Sequence, residues 1–168
     1  MADIENILRK YRSTSRGFID DPPAVPFRRL MVGAGFYLNP IFTAVKEITH
    51  VINCADENAC PLWAKSYLGN NYAHVATPDM EGYPILANDY PRFEAIMDAF
   101  LSDPGCRNIY IHCQAGMNRS ATLAAAYVIR RFRVPLEKVI ETMGHQRPCI
   151  MTNNSYKEQL SEFASNSK

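Results

Sequence analysis

The chain has 168 residues, enough for one substantial core, with 47% apolar and 21% charged residues as in an ordinary globular protein. Its 18 Lys and Arg against 17 Asp and Glu leave a net charge of +1, which excludes a broadly basic nucleic-acid footprint. The opening MADIENILRKYR lacks the apolar centre of a secretory signal, no apolar run is long enough for a bilayer, and neither Ala2 nor the terminal NSK carries a lipidation pattern. Five cysteines, at 54, 60, 106, 113 and 149, are an odd number at irregular spacings and do not make a secreted disulfide framework. The expectation is an intracellular, reduced, cytoplasmic protein, with the nucleus also open, no membrane association and no nucleic-acid partner.

DIENILRKY, residues 3–11, places Ile4, Ile7, Leu8 and Tyr11 on one helical face, with Asp3 as its cap. A helix this short must dock, either on its own body or on a second copy as a dimerising arm. DDPPAVP reads as an extended proline-rich linker, so residues 1–27 are expected to form an arm and linker ahead of a catalytic domain at 28–168. RRLMVGAGF, THVINCA, NYAHVAT and NIYIHC read as strands. PIFTAVKEI and YPRFEAIMDAFLS read as helices, the second capped by Asp89, and DENACPLWAKSYLGN as irregular or briefly helical. PDMEGYPILAND, with two prolines, a glycine and three acids, reads as a loop. RSATLAAAYVIRRF, PLEKVIETMGHQ (stopping at Gly144) and NNSYKEQLSEFAS close the chain as helices, with Asn153 and Asn154 as cap residues. The alternation predicts an α/β fold: a small mixed or parallel sheet with helices on both faces.

HCQAGMNRS, residues 112–120, falls where a strand turns into a helix. Ligands of open α/β sheets gather at that position. Backbone N–H groups of Gln114, Ala115, Gly116, Met117 and Asn118, with the positive end of the following helix, would form a cradle for an oxyanion. The same field favours the thiolate of Cys113, and the planar fork of Arg119 matches two phosphate oxygens. Ser120 can donate its hydroxyl to the sulfur, and His112 is placed to brace the loop rather than to move protons.

This stretch matches the Cys-x5-Arg-Ser/Thr signature of the cysteine-dependent protein phosphatases and resembles their small dual-specificity form. The resemblance extends weakly over residues 28–165 through RLMVGAGF, THVINCA, YPRFEAIMDAFLS and RPCIMTNNSYKEQL; the first 27 residues resemble nothing nameable. It implies hydrolysis of phosphotyrosine and phosphoserine or phosphothreonine in protein substrates through a phosphocysteine, without metal or cofactor. It also implies a general acid in a loop about thirty residues before the cysteine, where Asp79 of TPDMEGYP stands, with Glu81 as its rival. Asn53, at the end of VIN, is implied to brace the phosphate loop, although an asparagine there also suits a local turn. Gln114 and Asn118 are open to substrate contact or to loop bracing. A redox disulfide from Cys113 to Cys54 or Cys60 occurs in some relatives, while buried inert thiols are the simpler reading.

Other chemistries fit less well. Cys106, His112 and Cys113 have no standard zinc spacing, and a thiolate locked on a metal cannot attack phosphorus. VGAGF lacks the lysine of a nucleotide-binding loop, and no Gly-x-Ser-x-Gly elbow is present. The same chemistry on RNA 5′-phosphates or phosphoinositides, and a silent phosphate-binding scaffold, remain the alternatives.

Overall fold

The computed structural model describes residues 3–167. Its centre is a five-stranded sheet in the order β1-β2-β5-β3-β4, formed by β1 (Ala24–Phe27), β2 (Leu30–Ala34), β3 (Ile48–Asn53), β4 (Tyr72–His74) and β5 (Asn108–Cys113). β1 runs antiparallel to β2, and every other pairing is parallel. The mixed sheet with helices on both faces agrees with the fold expected from the alternation of elements.

Neighbouring residues of β3 and β5 face opposite cores, as strand geometry requires. Ile109, Ile111 and Ile52 enter the larger core with α4 (Ile85–Ser102), α5 (Arg119–Arg131), α6 (Leu136–Gln146) and α7 (Asn154–Asn166). Tyr110, Val51 and Ile48 enter a smaller one with Ala64 and Leu68 of α3 (Leu62–Leu68), against which Phe42 of α2 (Pro40–Val45) also packs. Helix α5 runs behind β5 and buries every side chain from Ser120 to Ile129, which accounts for its alanine-rich sequence.

The helix at the N-terminus, α1 (Ile4–Arg12), is capped by Asp3, whose carboxylate accepts from the N–H of Glu5 and Asn6. It buries Ile4 and Leu8 against its own chain. Gly144 makes that docking possible: a Cβ there would lie 2.6 Å from Leu8 Cδ2. The glycine expected to stop α6 is therefore an interior residue that clears room for α1, and the helix runs on to Gln146. Arg12 and Lys157 both pair with Glu5, and the Arg12 guanidinium, with Lys157 behind it, holds the Glu5 carboxyl down to about 2.

Two further expectations are corrected. The proline-rich stretch is not wholly a linker, because Ala24–Phe27 pairs with β2 as the edge strand of the sheet. An edge tolerates Pro26 because the missing N–H is needed only on a paired side. Asp89 does not cap the helix before β5: α4 starts at Ile85, and Asp89 lies inside it, accepting from the Tyr83 hydroxyl at 2.7 Å.

Candidate active site

Cys113 ends β5, the middle strand, in register with Ala34 of β2 on one side, and His112 beside it pairs with Asn53 of β3 on the other. The chain then turns through residues 114–118 and enters α5 at Arg119. Gly116 makes the turn with φ +67°, and a Cβ there would lie 2.1 Å from the carbonyl carbon of Gly33. Backbone presses on backbone at that point, so only glycine fits.

Every carbonyl of the turn is bonded outward. Cys113 O accepts from His112 Nδ1 at 2.9 Å, and Gln114 O accepts from Gly35 N at 3.3 Å. Ala115 O and Gly116 O accept from Arg147 Nη2 and Nε at 2.7 and 2.9 Å. Met117 O accepts from Met151 N at 2.8 Å, and Asn118 O from Thr122 N at 2.9 Å. Among the described residues, the N–H groups of 114–118 donate to no backbone acceptor. A turn with its carbonyls tied back and its amides unspent, beside the positive end of a 13-residue helix, has the geometry suited to cradling an anion.

The sulfur of Cys113 is buried and lies 3.3 Å from Ser120 Oγ, itself fully buried on the first turn of α5. Arg119 donates from Nη1 to Thr77 O at 3.2 Å, while its buried Nε has no protein partner. That leaves much of the guanidinium fork available to an oxyanion. His112 is wholly buried, and burial pushes its imidazole down to about 4. Its Nδ1 faces the Cys113 carbonyl, so Nδ1 carries the proton and the neutral ring is bonded to the loop backbone.

Asp79 reaches the same mouth from the loop between β4 and α4. Its Oδ2 accepts from Asn118 Nδ2 and its Oδ1 from Asn153 Nδ2, each at 3.1 Å. The rival Glu81 is spent elsewhere: it accepts from the N–H groups of Asn154 and Ser155 at the start of α7, and those bonds hold its carboxyl below the usual range. Tyr156 Oη bonds Pro78 O, and Gln159 Nε2 bonds Tyr83 O at 2.8 Å, so α7 holds the loop of Asp79 on both sides of that residue.

Asn118 braces: its Oδ1 accepts from Thr152 N at 2.7 Å and Asn153 N at 3.0 Å. Gln114 is exposed on the rim, while Ala115 and Met117 are half-buried in the turn. Asn53 does not reach the phosphate loop. Its amide donates to Asp56 O at 2.8 Å and Tyr72 Oη at 3.2 Å, and its Oδ1 accepts from Ala55 N at 2.9 Å. These bonds tie it to its own turn and to β4; the link to the loop strand is made instead by Cys54 N to His112 O at 2.7 Å.

Two roles escaped the sequence reading. Asn153 caps α7 through Tyr156 N, as expected, but it also holds Asp79. Arg147, fully buried, holds two loop carbonyls. Both act across more than thirty residues of chain, where no local sequence signal reports them. Cys54 is buried, and that burial, with Cys113 close by, pushes its thiol far up. All five cysteines are free thiols. No cluster of metal-ligating side chains forms among the described residues, and none of their helices is long and apolar enough to cross a membrane.

Comparison with known proteins places this geometry. Residues 33–166 match the model of the dual specificity phosphatase catalytic domain. A protein of Dictyostelium discoideum described as a "probable dual specificity protein phosphatase" is 31% identical over 117 residues, covering 70% of this chain but 28% of that protein. The mouse phosphatidylglycerophosphatase and protein-tyrosine phosphatase 1 is 34% identical over 106 residues, covering 63% of this chain and 52% of that one. The crystal structure of human DUSP28 superposes with a TM-score of 0.71 at 19% identity, over 86% of this chain and 94% of that chain, a likeness of fold. The chain thus spans under a third to about half the length of these curated relatives. With four-fifths of its residues inside the family match and the signature cysteine seated in its anion cradle, the chain belongs to the dual specificity phosphatase catalytic-domain family.

Proposed function

We propose that the chain hydrolyses phosphate monoesters of tyrosine and of serine or threonine in protein substrates, through a phosphocysteine at Cys113. The observation that carries this reading is the loop itself: six consecutive carbonyls, 113–118, bonded away from the space beside the Cys113 sulfur. In the first step the thiolate attacks phosphorus and the bond to the substrate oxygen breaks. Asp79 gives its proton to that oxygen. The loop amides and Arg119 hold the equatorial oxygens, where charge builds in the transition state. In the second step water attacks the phosphocysteine, Asp79 takes the water's proton, and the sulfur–phosphorus bond breaks. Ser120 donates its hydroxyl to the departing sulfur.

The test compares turnover of phosphotyrosyl and phosphothreonyl peptides by the wild type and by Cys113→Ser. Hydrolysis of both, abolished in the folded variant, supports the reading. Undiminished turnover by Cys113→Ser removes the mechanism.

A second reading has its own support. The mouse relative named for phosphatidylglycerophosphate and protein-tyrosine hydrolysis is 34% identical over its matched range. Phe18, Ile19 and Phe36 are exposed at 40%, 58% and 50%; Phe18 O is held by Arg147, which also holds the phosphate loop, and Phe36 follows Gly35, whose N–H bonds Gln114 O. An apolar rim of this kind suits a lipid phosphate. Turnover of phosphatidylglycerophosphate or a phosphoinositide above that of phosphopeptides would favour it.

A further inference from the structure

The segment that precedes the family match is tied to the phosphate loop by two arginines. Arg147 spends its guanidinium entirely on backbone carbonyls. On one side it holds Ala115 O and Gly116 O. On the other it holds Phe18 O at 3.0 Å, Asp21 O at 2.5 Å and Pro22 O at 3.3 Å. The Tyr37 ring lies 5.8 Å from the guanidinium, and its hydroxyl bonds Ile19 O and Asp21 O in turn. Asp21 folds the segment over itself through Ser15 Oγ at 2.6 Å and Arg16 N at 2.7 Å, and it accepts from Cys149 N at 3.1 Å. The second tie comes from α1. Arg12 donates to the carbonyls of Pro148, Ile150 and Met151, and the N–H of that same Met151 supports Met117 O.

We infer that residues 12–22 are a working part of the phosphate site: a strap that, through Arg147 and Met151, sets the direction of the loop amides. Each peptide unit is a single dipole. Binding the carbonyls of Ala115, Gly116 and Met117 from behind points and polarises the N–H groups of Gly116, Met117 and Asn118 toward the anion. A guanidinium is suited to this post because its five donors reach both banks at once, which a lysine ammonium cannot do. Arg147 and Arg12 are positioning residues here, and neither touches substrate. The inference rests on the phosphatase reading of the loop and adds to it the part of the chain outside residues 33–166.

The experiment is titration of the full chain with sodium tungstate, a phosphate mimic, by calorimetry well below the unfolding temperature. The variants are Arg147→Lys, Arg12→Gln and Lys10→Met, each checked for its fold by circular dichroism. Lys10→Met is the control for α1 docking alone, because Lys10 pairs with Glu141 and touches no carbonyl of the strap. Expected are tungstate affinities about tenfold weaker for Arg147→Lys and about threefold weaker for Arg12→Gln, with Lys10→Met unchanged. If Arg147→Lys does not fold, Arg12→Gln against Lys10→Met decides. Folded arginine variants with wild-type affinity overturn the strap, as does an equal loss in Lys10→Met. A wild type that does not bind tungstate overturns the phosphate-site reading itself, and the strap with it.

Discussion

Asn118, the last residue of the phosphate loop, donates its side-chain amide to Oδ2 of Asp79 at 3.1 Å. The residue nearest the nucleophile's helix thus also aims the proposed acid, and Asn153 completes the grip from the other oxygen.

Asp79→Asn should lower turnover of an alkyl phosphate about a hundredfold and that of an activated aryl phosphate far less, since only the poor leaving group needs the proton. Asn153→Ala should show the same leaving-group dependence in milder form by freeing Oδ1. Steady-state rates across a series of phenols check both. Equal losses for all leaving groups would move the acid role away from Asp79.

Removal of the Ser120 hydroxyl should act on the second step. In Ser120→Ala the sulfur leaves without its hydrogen-bond donor, 3.3 Å away in the wild type. Breakdown of the phosphocysteine should slow about tenfold or more. Rapid mixing with p-nitrophenyl phosphate should then show a burst of nitrophenol followed by slow turnover. A variant without a burst, with wild-type steady rates, contradicts the role.

His112 makes stability depend on pH. Its folded value, held at about 4 by burial, lies below the ordinary 6.5, so between these limits the unfolded chain binds more protons than the folded one. The contribution is fully present above pH 6.5 and is lost as pH falls through that window, up to about 3 kcal/mol. Glu5, held at about 2, loses its share only below 4.5, so the two ranges separate. Urea unfolding between pH 7 and 5 should show a slope that disappears in His112→Gln, with the variant less stable at pH 7.

Gly116→Ala should cost at least about 2 kcal/mol, because its φ of +67° is unfavourable for a Cβ and that atom would strike the Gly33 carbonyl. Tungstate affinity should fall with it. Thermal unfolding and titration of the same sample measure both.

What the sequence disclosed and what it hid divide by distance along the chain. The Cys113-to-Ser120 turn was legible because its chemistry is local: a strand, a glycine at positive φ and a helix start lie within nine residues. Asp79 was legible only through the resemblance, since nothing in TPDMEGYP itself distinguishes it from Glu81. The structure separates the two by their partners, Asn118 and Asn153 for one and the start of α7 for the other. β1 was missed because Pro22, Pro23 and Pro26 speak for extended coil, and only the pairing of Ala24 with Val32 shows an edge strand. Gly144 read as a stop because helix interiors disfavour glycine, yet a contact with Leu8 136 residues away decides it. Asn53 was left open between the phosphate loop and a local turn, and its bonds to Asp56 O and from Ala55 N favour the turn.

The sheet order has a kinetic corollary. β5 is paired along both flanks, whereas β1 and β4 each have one neighbour. Fraying begins where a strand is bordered on one side, and such excursions leave the nucleophile's strand zipped. Deuterium should therefore enter β1 and β4 early and Ile109 to Ile111 last, with the reactive sulfur mounted at the end of the slowest-exchanging ladder in the molecule.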